Sequence, residues 1–540
     1  MRGHRNLIAL LALGLTSLPQ LPAHAQRDSE RFSGSQKVGY LGQTSRSVMA
    51  RNVLERLNSQ TEARPASGPA DRILLWHEIV LDSVAIDHTP DPDTGDVALD
   101  NGGPTRTSRA LAIVQIAVFD AVNAIWPRYT AYSDFEAVPE GASLDAAIAT
   151  ASYTAQAALF PQQLDRLTAL LESDMAEIAA TPDELAGGID VGERAALAIL
   201  ALRDDDESHH DEADWSEGGY VADGATTHYG TLVNDGSTET FAWEPDPLTP
   251  AASGESSLAL GAYWGGVTPF SLESGDQYRI GPPPEPGSRD YVRGFREVLR
   301  LGASTDTTGS TSTAETRFVG NFWGYDGTPL LGTPPRLFNQ IAIQVARDEG
   351  VGNVVEVARY LALINTGLAD AAIAAWDSKY YYNYWRPVTA IRTSDGVGDT
   401  PEEASWKPVG ISVINTEDAI TPTPPFPAYP SGHSTFGAST FEIMRRLFGN
   451  DTRFTFVSDE YNGEGVDPLG VPRPLVPVRF RSLREAQEEN GDSRIYNGVH
   501  WRWDDEGGQE LGENVGRHLM VEGEAFQPLL RNRRRGGNGN

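Results

Sequence analysis

The sequence predicts an all-α protein built from two helical bundles that are joined by long irregular connections. Helical periodicity of apolar residues fills two separate blocks of the chain, 71–203 and 336–526. With 540 residues the chain is too long for one ordinary core. Its 54 Gly and 35 Pro indicate extensive turns and connections outside the helices. Together these observations give the fold class and the order of the domains.

The first 25 residues have the pattern of an export signal. Basic residues precede an apolar run over residues 7–15, and Ala23 and Ala25 supply the small residues of a cleavage site. We therefore expect cleavage after Ala25 and a periplasmic or secreted protein; a buried N-terminal helix is the alternative. Residues 26–70 are polar, lack a sustained apolar period and are predicted to be a flexible leader.

Five amphipathic segments predict the N-terminal bundle over residues 71–203. In each of them apolar residues recur at the spacing of one helix face. The predicted helices are 73–86, 108–126, 144–159, 164–180 and 192–203. After the signal, no segment is expected to span a membrane.

Residues 204–335 are predicted to be an acidic connecting region with one helix, 290–301. Two acidic stretches, DDDESHHDEADW at 204–215 and DHTPDPDTGD at 87–96, contain the oxygen ligands that divalent cations use. A solvated acidic loop is the favoured interpretation of both, and the second also lacks the spacing of an EF-hand.

The C-terminal bundle is predicted over residues 336–526. Its helices are expected at 337–348, 354–386, 432–447 and 509–521. The basic, Gly-rich tail 527–540 is predicted to be disordered. Three polar strings lie between these helices or at their ends, so the second bundle is expected to form the walls of the functional site.

The net charge of -32 argues against nucleic acid and against an anionic membrane as partners, because both need a basic face. An anionic substrate then needs a locally basic pocket. The chain contains no Cys, so disulfides do not stabilise it. The oligomeric state is open, and a homo-oligomer is compatible with the sequence.

The three strings contain the groups that a bound oxyanion needs. They are WDSKYYYNYWRP from Trp376, PPFPAYPSGH ending at His433, and SRIYNGVHWRWDD from Ser493. In the second string Ser431 and Gly432 open a helix, whose free N–H groups and positive end form an anion cradle. An N-cap beside a core histidine is the alternative interpretation of that string.

Positive and imidazole groups complete the predicted site. Lys379 and Arg386 are seven residues apart and are expected to project from one helix face, with Arg494 as a third cation. Mutual repulsion makes such a cluster unfavourable without an anion. If the chain is helical at His500, the i, i+4 spacing lets Asp504 orient the imidazole of His500.

The three strings resemble the signature shared by vanadium-dependent haloperoxidases and the type 2 phosphatidic acid phosphatase superfamily. The signature reads Lys, six residues, Arg-Pro; then Pro-Ser-Gly-His; then Ser-Arg, three residues, Gly, one residue, His, three residues, Asp. Every prescribed residue is present: Lys379, Arg386, Pro387, Pro430, Ser431, Gly432, His433, Ser493, Arg494, Gly498, His500 and Asp504. Trp376 and Phe426 resemble the halide pocket of the chloroperoxidase branch, although either ring alone is compatible with core packing.

The resemblance implies a vanadate cofactor bound at the metal by His500, with Asp504 supporting that histidine. Lys379, Arg386, Ser431, Gly432 and Arg494 would hold the vanadate oxygens. His433 would deprotonate hydrogen peroxide as general acid and base, and Lys379 would polarise the activated oxygen. Halide would then be oxidised to hypohalous acid, which halogenates small organic acceptors.

Two alternatives use the same residues. An acid phosphatase of the same superfamily would form a phosphohistidine at His500, with His433 protonating the leaving alcohol. A protein that only binds phosphate or vanadate would have no use for two imidazoles. The resemblance therefore favours the haloperoxidase.

Overall fold

The structure, a computed structural model, describes residues 48–90, 99–135, 138–215, 241–249, 258–393, 399–415 and 423–529. These residues form fourteen α-helices and two short antiparallel pairs of strands, which confirms the all-α prediction. The predicted signal peptide, residues 26–47 of the leader, residues 91–96 of the second acidic stretch and the tail from 530 lie outside the described residues.

Six helices form the first part of the described chain. They are α1 Val48–Asn58, α2 Pro69–Asp87, α3 Gly103–Ile125, α4 Leu144–Leu159, α5 Leu164–Ala176 and α6 Pro182–Leu202. All five predicted segments of the first bundle are helical, with ends displaced by up to ten residues. Helix α1 lies inside the predicted leader, so that prediction is wrong there: Leu54 is buried, and α1 packs against α2.

Eight helices follow, together with the strands. They are α7 Arg289–Leu301, α8 Ala314–Phe322, α9 Pro334–Asp348, α10 Val354–Tyr382, α11 Pro387–Thr393, α12 Gly432–Phe448, α13 Leu483–Tyr496 and α14 Arg502–Val521. The strands are β1 Ala213–Asp214 with β2 Leu258–Ala259, and β3 Phe454–Phe456 with β4 Val478–Phe480. The sequence did not predict α8, α11 or α13. Helix α13 is polar around most of its surface, and its packing against α8, α12 and α14 stabilises it without a strong apolar period.

Helix α10 is the centre of the protein. It packs against α3 on one side and against α12 and α14 on another, and nearly all of its residues are buried. Helix α3 is also buried almost throughout. Among the described helices α3 is the one long and apolar enough to cross a membrane, but 83% of its most apolar stretch is buried inside the protein. Its apolar composition is therefore explained by its position in the core.

Close contact between α12 and α14 brings the second and third strings together. A Cβ atom added at Gly508 would lie 2.7 Å from the Ser431 carbonyl oxygen, and one added at Gly516 would lie 2.8 Å from that of Ser439. Larger residues at these positions would separate the helices. The segment before α14, which contains His500, therefore lies beside the N-terminus of α12, which contains His433.

The middle region, predicted as an irregular connection, is bound tightly to α10. Asp370 accepts hydrogen bonds from the backbone N–H groups of Phe270 (2.6 Å) and Ser271 (2.9 Å). Arg279 forms a two-pronged ion pair with Asp377, at 2.8 Å for both contacts. Residues of this region can therefore form part of a site whose motifs all lie in the second bundle.

The acidic stretch 204–215 is not a solvated loop throughout, which corrects that interpretation. Asp206 is 2% exposed and its carboxylate lies 2.7 Å from Arg109 Nε and 2.9 Å from Arg203 Nε. Glu212 pairs with Arg106 at 3.2 Å. Within the described residues no group of three or more His, Cys, Asp or Glu side chains is placed to hold a metal ion. These acids instead fix the stretch to α3 and α6.

Candidate active site

The three polar strings converge on one pocket. It lies where the N-terminus of α12, the side of α10 and the segment before α14 meet. Its lining residues are Pro104, Tyr325, Asp326, Thr333, Pro334, Trp376, Pro424, Phe426, Gly432, His433, Phe436, Arg494 and His500. Of the predicted site residues, Lys379, Arg386, Ser431 and Asp504 lie directly behind this lining and are fully buried.

Lys379 is in the last turn of α10, and backbone carbonyls surround its ammonium group. Its Nζ donates hydrogen bonds to the carbonyl oxygens of Pro427 (2.8 Å), Ala428 (3.1 Å) and Pro430 (2.5 Å). These contacts connect α10 to the segment that leads into α12. Burial, followed by repulsion from Arg386, lowers the pKa of Lys379 well below its usual range.

Arg386 does not lie on the same helix face as Lys379, which corrects the sequence argument. Helix α10 ends at Tyr382, and Asn383 adopts the left-handed conformation with φ 48°. The chain then runs extended through Tyr384, which forms a β-bridge with Ala242, and brings Arg386 back to the site. Its Nε donates to the Phe426 carbonyl oxygen at 2.9 Å.

The guanidinium of Arg386 also contacts the third string. Its Nη1 donates to the Val499 carbonyl oxygen at 2.7 Å and lies 3.4 Å from His500 Nε2. Arg386 therefore binds both the second and the third string. A positive charge is thereby fixed beside the nitrogen of His500 that faces the site.

His500 precedes α14, so the helical i, i+4 argument for its contact with Asp504 is also wrong. The contact nevertheless forms: Asp504 Oδ2 accepts from His500 Nδ1 at 2.9 Å and from the Trp501 backbone N–H at 2.9 Å. In its ionised form the Asp504 carboxylate only accepts hydrogen bonds, so it keeps the imidazole proton on Nδ1 and leaves Nε2, which lies beside Arg386 Nη1, without a proton. Burial raises the pKa of Asp504 to about 7.

His433 is in the first turn of α12 and lines the pocket. Its Nε2 lies 2.7 Å from the Gly324 carbonyl oxygen, which therefore accepts a hydrogen bond from this nitrogen. Burial, followed by the charge of Arg494, lowers the pKa of His433 well below its usual range. Burial, followed by the charge of Arg386, also lowers the pKa of His500 well below its usual range. Both imidazoles are therefore neutral near pH 7.

Asp326 belongs to the site, although the sequence did not indicate it. Its Oδ1 accepts from Arg494 Nη2 at 2.7 Å and lies 3.9 Å from His433 Nε2. It follows α8 in a segment without a recognisable pattern, and nothing in the sequence distinguishes it from many other acids. Only the packing of α8 against α13, which contains Arg494, brings the pair together.

Ser431 and Gly432 form the start of α12, as predicted. Ser431 Oγ accepts the N–H of Ser434 at 3.3 Å as the N-cap, and the Ser431 N–H donates to the Asp504 carbonyl oxygen at 2.8 Å. A Cβ atom added at Gly432 would lie 3.3 Å from Trp376 Cζ3. Glycine therefore keeps the helix end open toward the pocket.

Trp376 and Phe426 form an aromatic wall on one side of the pocket. Their ring centroids are 4.9 Å apart, and Phe436 is a third ring, 6.2 Å from Trp376, that the sequence did not assign. Lys379 Nζ lies 5.0 Å and Arg386 Cζ 5.0 Å from the Phe426 ring centroid. An apolar surface with cations directly behind it suits a large, weakly hydrated anion.

The donor set fits a bound oxyanion such as vanadate. Three cations, Lys379, Arg386 and Arg494, are buried together with the carboxylates of Asp326 and Asp504. Arg494 Nε is buried and has no hydrogen-bond partner in the described structure. A buried N–H without an acceptor is costly, and an oxyanion in the pocket would satisfy it.

Comparisons with known proteins agree with this arrangement. Residues 359–526 match the family model of the VCPO second helical-bundle domain. The vanadium chloroperoxidase of Curvularia inaequalis is 28% identical, with 80% of this chain and 78% of that protein covered.

Solved structures show the same fold. A bacterial vanadium-dependent iodoperoxidase superposes with a TM-score of 0.60 at 23% identity, covering 85% of this chain and 96% of the other. A bacterial vanadium-dependent chloroperoxidase in its apo form gives a TM-score of 0.56 at 18% identity, covering 77% and 93%. The resemblance seen in the sequence is thus confirmed for the fold and for the second bundle.

Proposed function

We propose that this chain is a vanadium-dependent haloperoxidase. Its residues 359–526 match the family model of the VCPO second helical-bundle domain, and its fold is similar to that of a bacterial vanadium-dependent iodoperoxidase. It would oxidise halide with hydrogen peroxide to hypohalous acid, and this product would halogenate small organic acceptors. The observation that carries the proposal is a neutral His500 with Nε2 directed at a cation-rich pocket beside two aromatic rings.

Vanadate would be held by residues of all three strings. His500 Nε2 would bind the metal, and the side chains of Lys379, Arg386, Arg494 and Ser431, with the Gly432 N–H, would bind its oxygens. When bound, vanadate supplies a Lewis-acid centre that activates hydrogen peroxide without a change in oxidation state. Lys379 Nζ donates to three carbonyls in this structure, so we expect it to exchange one of them for an oxygen of the ligand.

Each neighbouring residue has a separate task. Asp504 keeps the proton of His500 on Nδ1, so that Nε2 remains a ligand. His433, neutral near pH 7, would take up the proton of hydrogen peroxide on its imidazole and return it later. Asp326 positions Arg494 and lies close enough to His433 to stabilise the imidazolium form. Lys379 would supply the positive charge that favours electron flow from the halide.

The aromatic wall supports halide over a phosphate ester as the second substrate. Trp376 and Phe426 are 1% and 6% exposed, so an ion that contacts these rings lies in a part of the pocket that is largely shielded from water. A halide beside these rings loses part of its hydration, which makes it a better nucleophile.

One assay separates the candidate activities. The purified protein is supplied with vanadate, hydrogen peroxide and chloride, bromide or iodide in turn, with monochlorodimedone as acceptor. We expect vanadate-dependent halogenation with at least one halide. Phosphate-inhibitable ester hydrolysis without halogenation would instead establish the phosphatase, and vanadate binding with neither activity would establish a binding protein.

Three histidine variants assign the roles. His500→Ala should lose vanadate, as measured by vanadium content after gel filtration. His433→Ala should retain vanadate but lose at least about a hundredfold in turnover, the usual contribution of a general acid or base. His518→Ala, near the other end of α14, is the control and should retain both properties. Full vanadium content in His500→Ala would show that the metal ligand is a different residue.

A further inference from the structure

The backbone of Leu260 and Gly261, in the middle region of the chain, contacts both segments that present the aromatic wall. On one side, the Leu260 N–H donates to the Pro425 carbonyl oxygen at 3.0 Å, next to Phe426. On the other, the Leu260 carbonyl oxygen accepts from the indole Nε1 of Trp376 at 3.0 Å. One short stretch of backbone therefore bridges the two segments that present the aromatic rings.

Gly261 approaches the indole too closely for any other residue. A Cβ atom at this position would lie 2.5 Å from Trp376 Nε1 and 2.6 Å from its Cδ1. The φ angle of +71° also disfavours residues with a side chain. Substitution must therefore move either the backbone of this segment or the ring of Trp376.

Two side chains hold this peptide in place. The hydroxyl of Tyr380, one turn after Trp376 on α10, donates to the same Leu260 carbonyl oxygen at 2.9 Å. Glu212 Oε2 accepts the Gly261 N–H at 2.5 Å. Glu212 is in turn paired with Arg106 of α3 at 3.2 Å, so the position of the peptide is linked to the first bundle.

We propose that the Leu260–Gly261 peptide is a positioning element that sets the spacing of Trp376 and Phe426 and thereby the halide affinity and selectivity of the pocket. The inference deepens the proposed function and rests on it, because it takes halide as the ion beside these rings. Leu260 and Gly261 act through the aromatic residues and do not touch the cofactor. Halide preference is then determined partly by residues far from the three strings.

The main test compares two glycine substitutions in the same segment. Gly261→Ala should raise the KM for halide about tenfold and change the ratio of kcat/KM between bromide and iodide, as a forced shift of one packed ring implies. The KM for hydrogen peroxide and the vanadium content should stay unchanged. Gly266→Ala is the matched control, because a Cβ there has no neighbour within 4 Å.

A measurement without vanadate tests the same idea independently of turnover. Iodide quenching of tryptophan fluorescence is titrated, and the contribution of Trp376 is obtained as the difference from Trp376→Phe. In Gly261→Ala this contribution should need about tenfold more iodide for half quenching, the same shift as that of KM. In Gly266→Ala it should not change.

A double-mutant cycle identifies the contact responsible. The Trp376→Phe variant lacks the indole nitrogen that a Cβ at residue 261 would approach most closely. In this background Gly261→Ala should therefore lower the halide affinity only slightly further. Additive effects in the two backgrounds would overturn the proposal, as would Gly261→Ala behaving like Gly266→Ala. If Gly261→Ala weakens halide binding, raises the KM for hydrogen peroxide and lowers the vanadium content to the same extent, the site is generally disrupted and the proposal is also overturned.

Two further outcomes keep the test decisive. If Gly261→Ala is insoluble, Tyr380→Phe takes its place, because it removes one donor to the Leu260 carbonyl oxygen and keeps the aromatic ring. Half quenching should then need more iodide than in the wild-type protein. An unchanged titration would overturn the proposal. If the wild-type protein halogenates nothing, the proposed function fails, whereas the quenching titration still decides whether Gly261 positions Trp376.

Discussion

Replacing Asp326 by Asn removes the negative charge that pairs with Arg494 and leaves the side-chain volume almost unchanged. The two groups are 2.7 Å apart, and neither side chain is more than 1% exposed. Removing one partner of a buried ion pair costs about 3–5 kcal/mol, because an uncompensated charge is left in the interior. Asn keeps one acceptor for Arg494, so we expect the anion-free variant to lose about 3 kcal/mol of unfolding free energy.

A bound oxyanion supplies the missing negative charge. Vanadate or inorganic phosphate should therefore restore more stability to Asp326→Asn than it adds to the wild-type protein. Denaturant unfolding with and without either anion measures both effects. Asp206→Asn is the control: Asp206 is equally buried and lies 2.7 Å from Arg109 Nε and 2.9 Å from Arg203 Nε, but it does not line the pocket.

The control should lose a similar amount of stability, and anions should not restore it preferentially. Two results would refute the reasoning. One is an anion-free Asp326→Asn protein as stable as the wild type, which would mean that the ion pair contributes nothing. The other is equal restoration by vanadate in both variants, which would mean that the anion acts at some other place.

Three further predictions concern the scaffold and the chain terminus. Gly516→Ala should lower the unfolding free energy by about 2 kcal/mol, because the new Cβ would lie 2.8 Å from the Ser439 carbonyl oxygen. Gly352→Ala is the control and should not lower it, because the nearest neighbour of a Cβ there is 3.8 Å away. Denaturant unfolding of both variants measures the difference. Burial raises the pKa of Asp120 from 3.8 to about 7. The folded state then binds more protons than the unfolded state between about pH 4 and 7, so this group lowers stability as the pH rises through that window. Asp120→Asn should therefore gain stability relative to the wild type between pH 4.5 and 8, by about 4 kcal/mol at most, and a pH-independent difference would contradict the assignment. Finally, if residues 1–25 act as an export signal, as we propose, N-terminal sequencing of the purified protein should begin at Gln26, and a retained Met1 would contradict that proposal.

The helices that were predicted well are those with apolar residues on a continuous face. Helix α4 begins and ends where the periodicity does, and α10 was recognised apart from its last four predicted residues. Helix α13 was missed because tertiary contacts stabilise it, and α8 because it is only nine residues long. A local sequence pattern predicts a helix when the apolar face that forms the pattern is also the face whose burial stabilises the helix.

Two pairs of site residues lie close together, as predicted, but by a geometry other than the predicted one. Lys379 and Arg386 were expected on one helix face, but the left-handed Asn383 ends the helix between them. His500 and Asp504 were expected within a helix, but the contact spans the start of α14. Spacing along the chain limited which groups could meet, whereas the end of α10 and the start of α14 determined how they meet.

The sequence by itself determined the all-α class, the three strings and the kind of ligand they suit, because periodicity and charge are properties of short segments. Only the tertiary structure decided that Asp326 pairs with Arg494 and that the Leu260–Gly261 peptide bridges Trp376 and the Phe426 segment. Those residues are separated by more than a hundred positions along the chain. Their contacts depend on how α8 packs against α13 and how the middle region packs against α10, and no local pattern encodes that packing.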